Sequence, residues 1–147
     1  MAAAGLRVLV VDDERISRET TAKLLEGDGF VARPVECAEA ALKMVGEAVW
    51  DVVLTDLRMP KMSGLELLRE IKKCAPGIDV VLMTAYGTAD AAAEAMDAGV
   101  SDLLTKPFGY RELEWRLQRI AAHRALEAEM RALKETLGRR GIKLDDE

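Results

Sequence analysis

Val52-Val53-Leu54-Thr55-Asp56 is the stretch on which the fold turns. Its first three residues are apolar without alternation, as in a strand covered on both faces, and such strands belong to parallel sheets. Working outward, Leu6–Val11 and Ile78–Met83 have the same character, and Ser101–Thr105 is a shorter strand candidate. Phe30–Val35 is β-compatible but contains Pro34, which places it near a sheet edge. Helix-compatible segments lie between these runs. Ile16–Leu25 carries Ile16, Thr20, Leu24 and Leu25 and ends at Gly27 and Gly29; Ala38–Ala48 carries Ala41, Leu42 and Val45. Ser63-Gly64-Leu65-Glu66 has the spacing of a capping box and opens a helix with Leu65, Leu68 and Ile71. Thr88–Ala98 is alanine-rich and closed by Gly99, and a last helix begins near Tyr110. Strands alternating with helices imply right-handed crossovers and a mainly parallel sheet with both faces covered, an α/β fold.

The chain has 147 residues, half of them apolar, which suits one packed domain. Its formal net charge of −5 argues against direct nucleic-acid binding, since phosphate backbones select clustered Lys and Arg. No apolar run is long enough for a membrane span, and Leu6–Val11 is too short for a secretory signal. Cys37 and Cys74 lack metal-like spacing and fit reduced thiols of a cytoplasmic protein.

In open parallel sheets ligands bind beyond the carboxyl ends of the strands. Asp12 and Asp13 end the first strand, Asp56 the third, Thr84 the fourth and Lys106 the fifth. Three carboxylates crowded together raise one another's pKa, and a divalent cation relieves that repulsion. Hard oxygen ligands without His or Cys point to Mg²⁺. Lys106 and the Thr84 hydroxyl around one acid suit an incoming phosphoryl group, and a carboxylate can be its nucleophile. Asp56, central in the set, is the acceptor. Each residue alone has an ordinary role as a helix cap, turn residue or solvated charge; their conjunction at four strand ends carries the argument.

These residues resemble the response-regulator receiver family of two-component signalling from about Leu6 to Ala122. The resemblance rests on Val10-Val11-Asp12-Asp13-Glu14, Leu54-Thr55-Asp56-Leu57-Arg58-Met59-Pro60-Lys61-Met62-Ser63-Gly64, Met83-Thr84-Ala85-Tyr86 and Leu104-Thr105-Lys106-Pro107-Phe108, all in family order. It implies a flavodoxin-like, doubly wound sheet of five parallel strands in the order 2-1-3-4-5. It implies Mg²⁺ on Asp13, Asp56 and the backbone carbonyl of Arg58, with Asp12 acting mostly through a water. Asp56 would take a phosphoryl group from a phosphohistidine of a sensor histidine kinase, Lys106 would pair with a phosphoryl oxygen, and Thr84 and the Ala85 amide would donate to it. A cis peptide before Pro107 is also implied. Such a protein is a regulatory switch, not an enzyme, although it catalyses its own phosphoryl transfer and dephosphorylation. Leu103 stands where the family commonly has Tyr or Phe, so the switch pair here is Thr84 and Leu103. Arg58 and Tyr86 flank the pocket.

Residues 1–122 are thus expected to form the receiver, and 123–147 a helical coiled-coil linker with an acidic tail. Leu113, Leu117 and Ile120 would pack on the sheet. Leu126, Met130, Leu133 and Leu137 then follow a four–three–four spacing, a short coiled-coil seam. His123, the only histidine, is expected on the helix surface, and Gly138-Arg139-Arg140-Gly141 ends the helix. A homodimer is expected through the 88–122 face and the 123–137 helix. A receiver with such a linker resembles the amino-terminal part of sigma-54-dependent transcriptional activators. Neither a Gly-rich loop ending in Gly-Lys-Ser or Gly-Lys-Thr nor a helix-turn-helix candidate is present. The expectation is therefore a piece of a longer regulator whose output, transcriptional in such activators, lies elsewhere. Two rival readings are weaker. A dehalogenase-like phosphotransferase needs a second acid two residues after the nucleophile, where Arg58 stands. A flavodoxin-like binding module has no use for the acidic set.

Overall fold

The computed structural model describes residues 5–85 and 88–141. Elements alternate as β1 (Arg7–Val11), α1 (Arg15–Gly27), β2 (Val31–Val35), α2 (Ala38–Glu47), β3 (Val52–Asp56), α3 (Gly64–Cys74), β4 (Asp79–Thr84), α4 (Ala89–Asp97), β5 (Asp102–Thr105) and α5 (Tyr110–Arg139). The strands form one parallel sheet in the order β2-β1-β3-β4-β5. This is the expected topology, with Pro34 on an edge strand that pairs with β1.

Two apolar layers hold the sheet. Val8, Val10, Val52, Leu54, Val81, Met83 and Leu104 pack with residues of α1 and α5, among them Leu25, Leu113 and Leu117. Leu9, Val11, Val53, Val80 and Leu82 pack on the other side with α2, α3 and α4. Successive strand residues point to opposite faces, so a run buried on both sides must be apolar throughout. β3 is the extreme case: every residue from Val52 to Asp56 is buried.

The helix faces differ in part from expectation. In α1, Leu25 and Ala22 are buried, whereas Ile16 is 82% exposed and Leu24 45% exposed, with Thr20 also exposed. The small Ala22, not the large Ile16, joins Leu25 on the face that packs against the sheet. In α3, Leu67 joins Leu68 and Ile71 in the core, while Leu65 is only partly covered. In α4 the alanines divide: Ala95 is buried, Ala91 and Ala92 are half-buried and Ala93 is exposed.

α5 is one uninterrupted helix of 30 residues. Its first half covers the sheet through Leu113, Leu117 and Ala121, with Ile120 partly buried. Arg124 then fastens it to the amino ends of the strands. The guanidinium lies 2.8 Å from Asp79 and 3.2 Å from Asp51, and donates to the Gly77 carbonyl at 3.0 Å. Beyond it Leu126, Met130 and Leu133 are about half exposed. His123 is on the surface as expected, 3.3 Å from Glu127. The helix ends at Arg139, and Gly141 takes a φ of 76°, a left-handed conformation that glycine adopts freely. The expectations for Tyr86 and the acidic tail concern residues outside those described.

Candidate functional site

The strand order reverses direction around β1, so the crevice between the carboxyl ends of β1 and β3 is where this topology leaves room for a ligand. The residues picked out by sequence meet there. Register sets Val11 beside Thr55, Asp56 beside Met83, and Thr84 beside Thr105. Backbone bonds extend that alignment past the strands: Leu57 N–H donates to Met83 at 2.8 Å and Lys106 N–H to Thr84 at 2.7 Å. A cavity of about 270 Å³ results, lined by Asp13, Glu14, Asp56, Arg58, Thr84, Ala85 and Lys106.

Lys106 Nζ lies 3.2 Å from both carboxylate oxygens of Asp56. The peptide after Lys106 is cis, as expected. Asp12 is buried and its Oδ1 accepts from the Glu14 N–H at 2.9 Å, which fixes its orientation. Thr84 is almost fully buried. Leu103 pairs with Leu82 across β4 and β5 and packs, partly covered, on the α4 side of the sheet.

Asp56 has its pKa raised from 3.8 to about 6. Burial is the main cause, Lys106 opposes it, and Asp12 adds a smaller upward push. Crowding of charge, the cause expected from sequence, is therefore secondary to desolvation at this residue.

Carboxylate oxygens of Asp12, Asp13 and Asp56 lie within 4.8 Å of one another. Octahedral Mg²⁺ binds oxygen at about 2.0–2.1 Å and keeps several waters, so oxygens on opposite sides of it stand about 4 Å apart. The donor set fits: oxygen only, acidic, and open to solvent through the exposed Asp13. Arg58 lines the same cavity.

Sequence reasoning overlooked Gly64. Its signal was present, a glycine straight after the capping Ser63, but was absorbed into the capping box. That box does form: Ser63 Oγ accepts from the Glu66 N–H at 3.2 Å, and Glu66 accepts from the Ser63 N–H at 3.0 Å. Gly64 also donates its N–H to Leu57 at 2.8 Å. The loop after Asp56 is thereby folded back onto β3, passing through Lys61 at a φ of 66°.

The model of the response regulator receiver domain matches residues 8–118. The chain belongs to that family. Among curated relatives, the transcriptional regulatory protein ZraR of Klebsiella oxytoca is 39% identical over 126 residues, covering 86% of this chain and 28% of ZraR. The response regulator protein FleR of Pseudomonas aeruginosa is 44% identical over 119 residues, 80% of this chain and 24% of FleR. A crystal structure of NtrX from Brucella abortus superposes with a TM-score of 0.79 at 32% identity, covering 90% of this chain and 30% of NtrX. The chain thus spans only 24–30% of the length of each of these relatives. Among the described residues no helix is long and apolar enough to cross a membrane.

Proposed function

We propose that this receiver is a phosphorylation-dependent switch in which Asp56 accepts a phosphoryl group from a phosphohistidine of a sensor histidine kinase. The observation that carries the reading is Lys106 Nζ at 3.2 Å from both Asp56 oxygens, in the cavity that Thr84 and the acidic residues also line.

The chemistry follows from the placement. With a pKa of about 6, Asp56 is ionised at neutral pH and able to attack. One carboxylate oxygen forms a bond to phosphorus while the phosphorus–nitrogen bond of the donor breaks; the electron pair stays on the imidazole, which takes up a proton. The product is an acyl phosphate on Asp56. Lys106 holds the carboxylate and pairs with a phosphoryl oxygen as charge develops. Asp12, Asp13 and Asp56, with the Arg58 carbonyl, would hold Mg²⁺, which when bound neutralises charge on the transferring oxygens. Thr84 and the Ala85 amide donate to the phosphoryl group once it is in place.

The added charge, about −1.5 to −2, acts through groups that bind it better in one conformation. Thr84, the last residue of β4, and Leu103, the second residue of β5, form that switch, on the strands that flank α4. The chain is then a regulator that catalyses its own phosphorylation and dephosphorylation. Because its curated relatives are transcriptional and response regulators, the output of the whole protein is read as control of transcription, through a homodimer involving the 88–122 face and the 123–137 helix. Incubation with acetyl phosphate and Mg²⁺ followed by intact mass tests the central step. Wild type should gain one phosphoryl group and Asp56→Asn none; an adduct on both would overturn it.

A further inference from the structure

The chain leaves β1 and enters α1 through Asp12, Asp13 and Glu14, and this short loop carries two of the three clustered acids. Its backbone is held at each end. Asp12 N–H donates to the Val35 carbonyl at 3.2 Å, and Arg18 N–H donates to the Glu14 carbonyl at 3.0 Å, closing the first turn of α1. Asp12 Oδ1 accepts from the Glu14 N–H at 2.9 Å, an Asx turn that fixes the Asp12 side chain. Asp13 is exposed, and the support for its peptide comes from inside the helix.

Helical side chains lean toward the N-terminus, so a long one placed a turn inside reaches back over the entry. Arg18 does this. Its Nη1 lies 3.3 Å from the Asp12 carbonyl oxygen and 3.5 Å from that of Asp13. Both carbonyls fall between the sheet and the helix ladder, and among the described residues neither accepts from a backbone N–H. The placement runs against the local field. α1 has no side-chain cap and no acid in its first turn, and a cation near a helix N-terminus is disfavoured by the helix dipole. Arg15, in the same turn, faces outward to Glu19 at 3.3 Å and is 77% exposed. Arg18 is half-buried and directed at main chain.

We infer that Arg18 is a positioning residue for Mg²⁺ binding: by bridging the Asp12 and Asp13 carbonyls, it orients the peptides from which both carboxylates project. The inference rests on the metal reading of the acidic set given above and deepens it. Mg²⁺ demands near-octahedral oxygens at about 2.0–2.1 Å, so a ligand peptide left free to rotate lowers affinity. Groups that orient metal ligands from behind typically contribute roughly 10- to 100-fold to binding. Charge alone predicts the opposite sign. A cation beside a metal site repels the metal, so deleting it would tighten binding.

Thermal unfolding of the whole chain across a Mg²⁺ titration tests it, because the concentration at which the melting temperature rises reports affinity. Arg18→Met keeps the stem and removes the donor. It should fold in chelator yet need roughly 10- to 100-fold more Mg²⁺ than wild type. Arg18→Lys, which restores a donor at similar reach, should recover most of the affinity. Arg15→Met, which removes a cation from the same turn, should bind Mg²⁺ at least as well as wild type. At saturating Mg²⁺, phosphoryl uptake by Arg18→Met from acetyl phosphate should return toward the wild-type rate. An Arg18→Met that is unfolded in chelator, or that binds Mg²⁺ as tightly as wild type, would overturn the inference, as would failure of Arg18→Lys to recover. A wild type indifferent to Mg²⁺ would instead overturn the metal reading itself.

Discussion

Gly64 opens α3 directly against the backbone of Asp56. A Cβ at position 64 would collide with the Asp56 carbonyl oxygen and come within 2.9 Å of its carbon and of Leu57 Cα. These are backbone atoms of a fully buried strand and its exit, so they have nowhere to retreat. Asp56 is thus held from behind by a close approach of helix to strand that only glycine permits.

Gly64→Ala should therefore cost about 3 kcal/mol or more, the upper range of overpacking, since the obstruction is main chain. Thermal unfolding followed by circular dichroism measures the loss. Protein that still folds should take up phosphoryl from acetyl phosphate more slowly, because relief of the clash moves Asp56. A variant with unchanged stability and uptake would show that the approach is slack.

Arg124 links the opposite ends of the same two strands. β3 and β4 carry Asp56 and Thr84 at their carboxyl ends. At their amino ends Asp79 begins β4 and Asp51 immediately precedes β3, and both acids are held by Arg124. These pairs are largely covered, so Arg124→Gln removes the cation from two carboxylates that keep only the Arg7 N–H and the Ser101 hydroxyl as donors, and should destabilise by about 1–3 kcal/mol. A drop in melting temperature with undiminished phosphoryl uptake is the expected pattern. Equal loss of both would mean that Arg124 shapes the site as well as the anchor.

The burial of Asp56 makes a prediction with a definite sign. Its folded pKa of about 6 exceeds the ordinary value of 3.8. Between these values the folded state holds more protons than the unfolded one, so stability falls as pH rises. This contribution is complete below pH 3.8 and gone above about pH 6. Without Mg²⁺, Asp56→Asn should consequently melt higher than wild type at pH 7.5, by an amount equivalent to at most about 3 kcal/mol. The gap should close toward pH 4. Saturating Mg²⁺ should stabilise wild type and not the variant. A variant less stable than wild type in chelator at pH 7.5 would contradict the assignment.

What was legible in the sequence was whatever depends on local pattern. Continuous apolarity marked β1, β3 and β4, the Ser63–Glu66 spacing marked a helix start, and four strand ends marked the site. What escaped depends on how elements lie against one another. Ile16 and Leu24 looked like the inner face of α1 because they are large, yet the contact with β1 and β2 has room for Ala22 and Leu25 instead. Leu67 is fully buried because α3 is flanked on its layer by neighbouring helices, so more than one stripe of it is covered. Gly64 could be understood only once the end of β3 stood beside it. The raised pKa of Asp56 was anticipated, but its main cause, burial, is a property of the packed sheet.

If Asp56 is phosphorylated as proposed, the Thr84 hydroxyl is the donor that distinguishes that state from the resting one. It is 2% exposed and lines the cavity beside Lys106. Thr84→Val keeps the shape and removes the donor, so the fold and the attack by Asp56 should survive. A hydrogen bond to a charged group contributes about 1.5–3 kcal/mol. Its loss should reduce the bias toward the activated conformation roughly 10- to 100-fold. Amide hydrogen exchange reads this directly. Beryllofluoride with Mg²⁺ should alter protection across Ala89–Asp97 and Asp102–Thr105 in wild type and leave it nearly unchanged in Thr84→Val, while both proteins accept phosphoryl from acetyl phosphate. If the variant responded as wild type does, the signal would have to leave the site through Lys106 alone, and Thr84 would be only a buried strand residue.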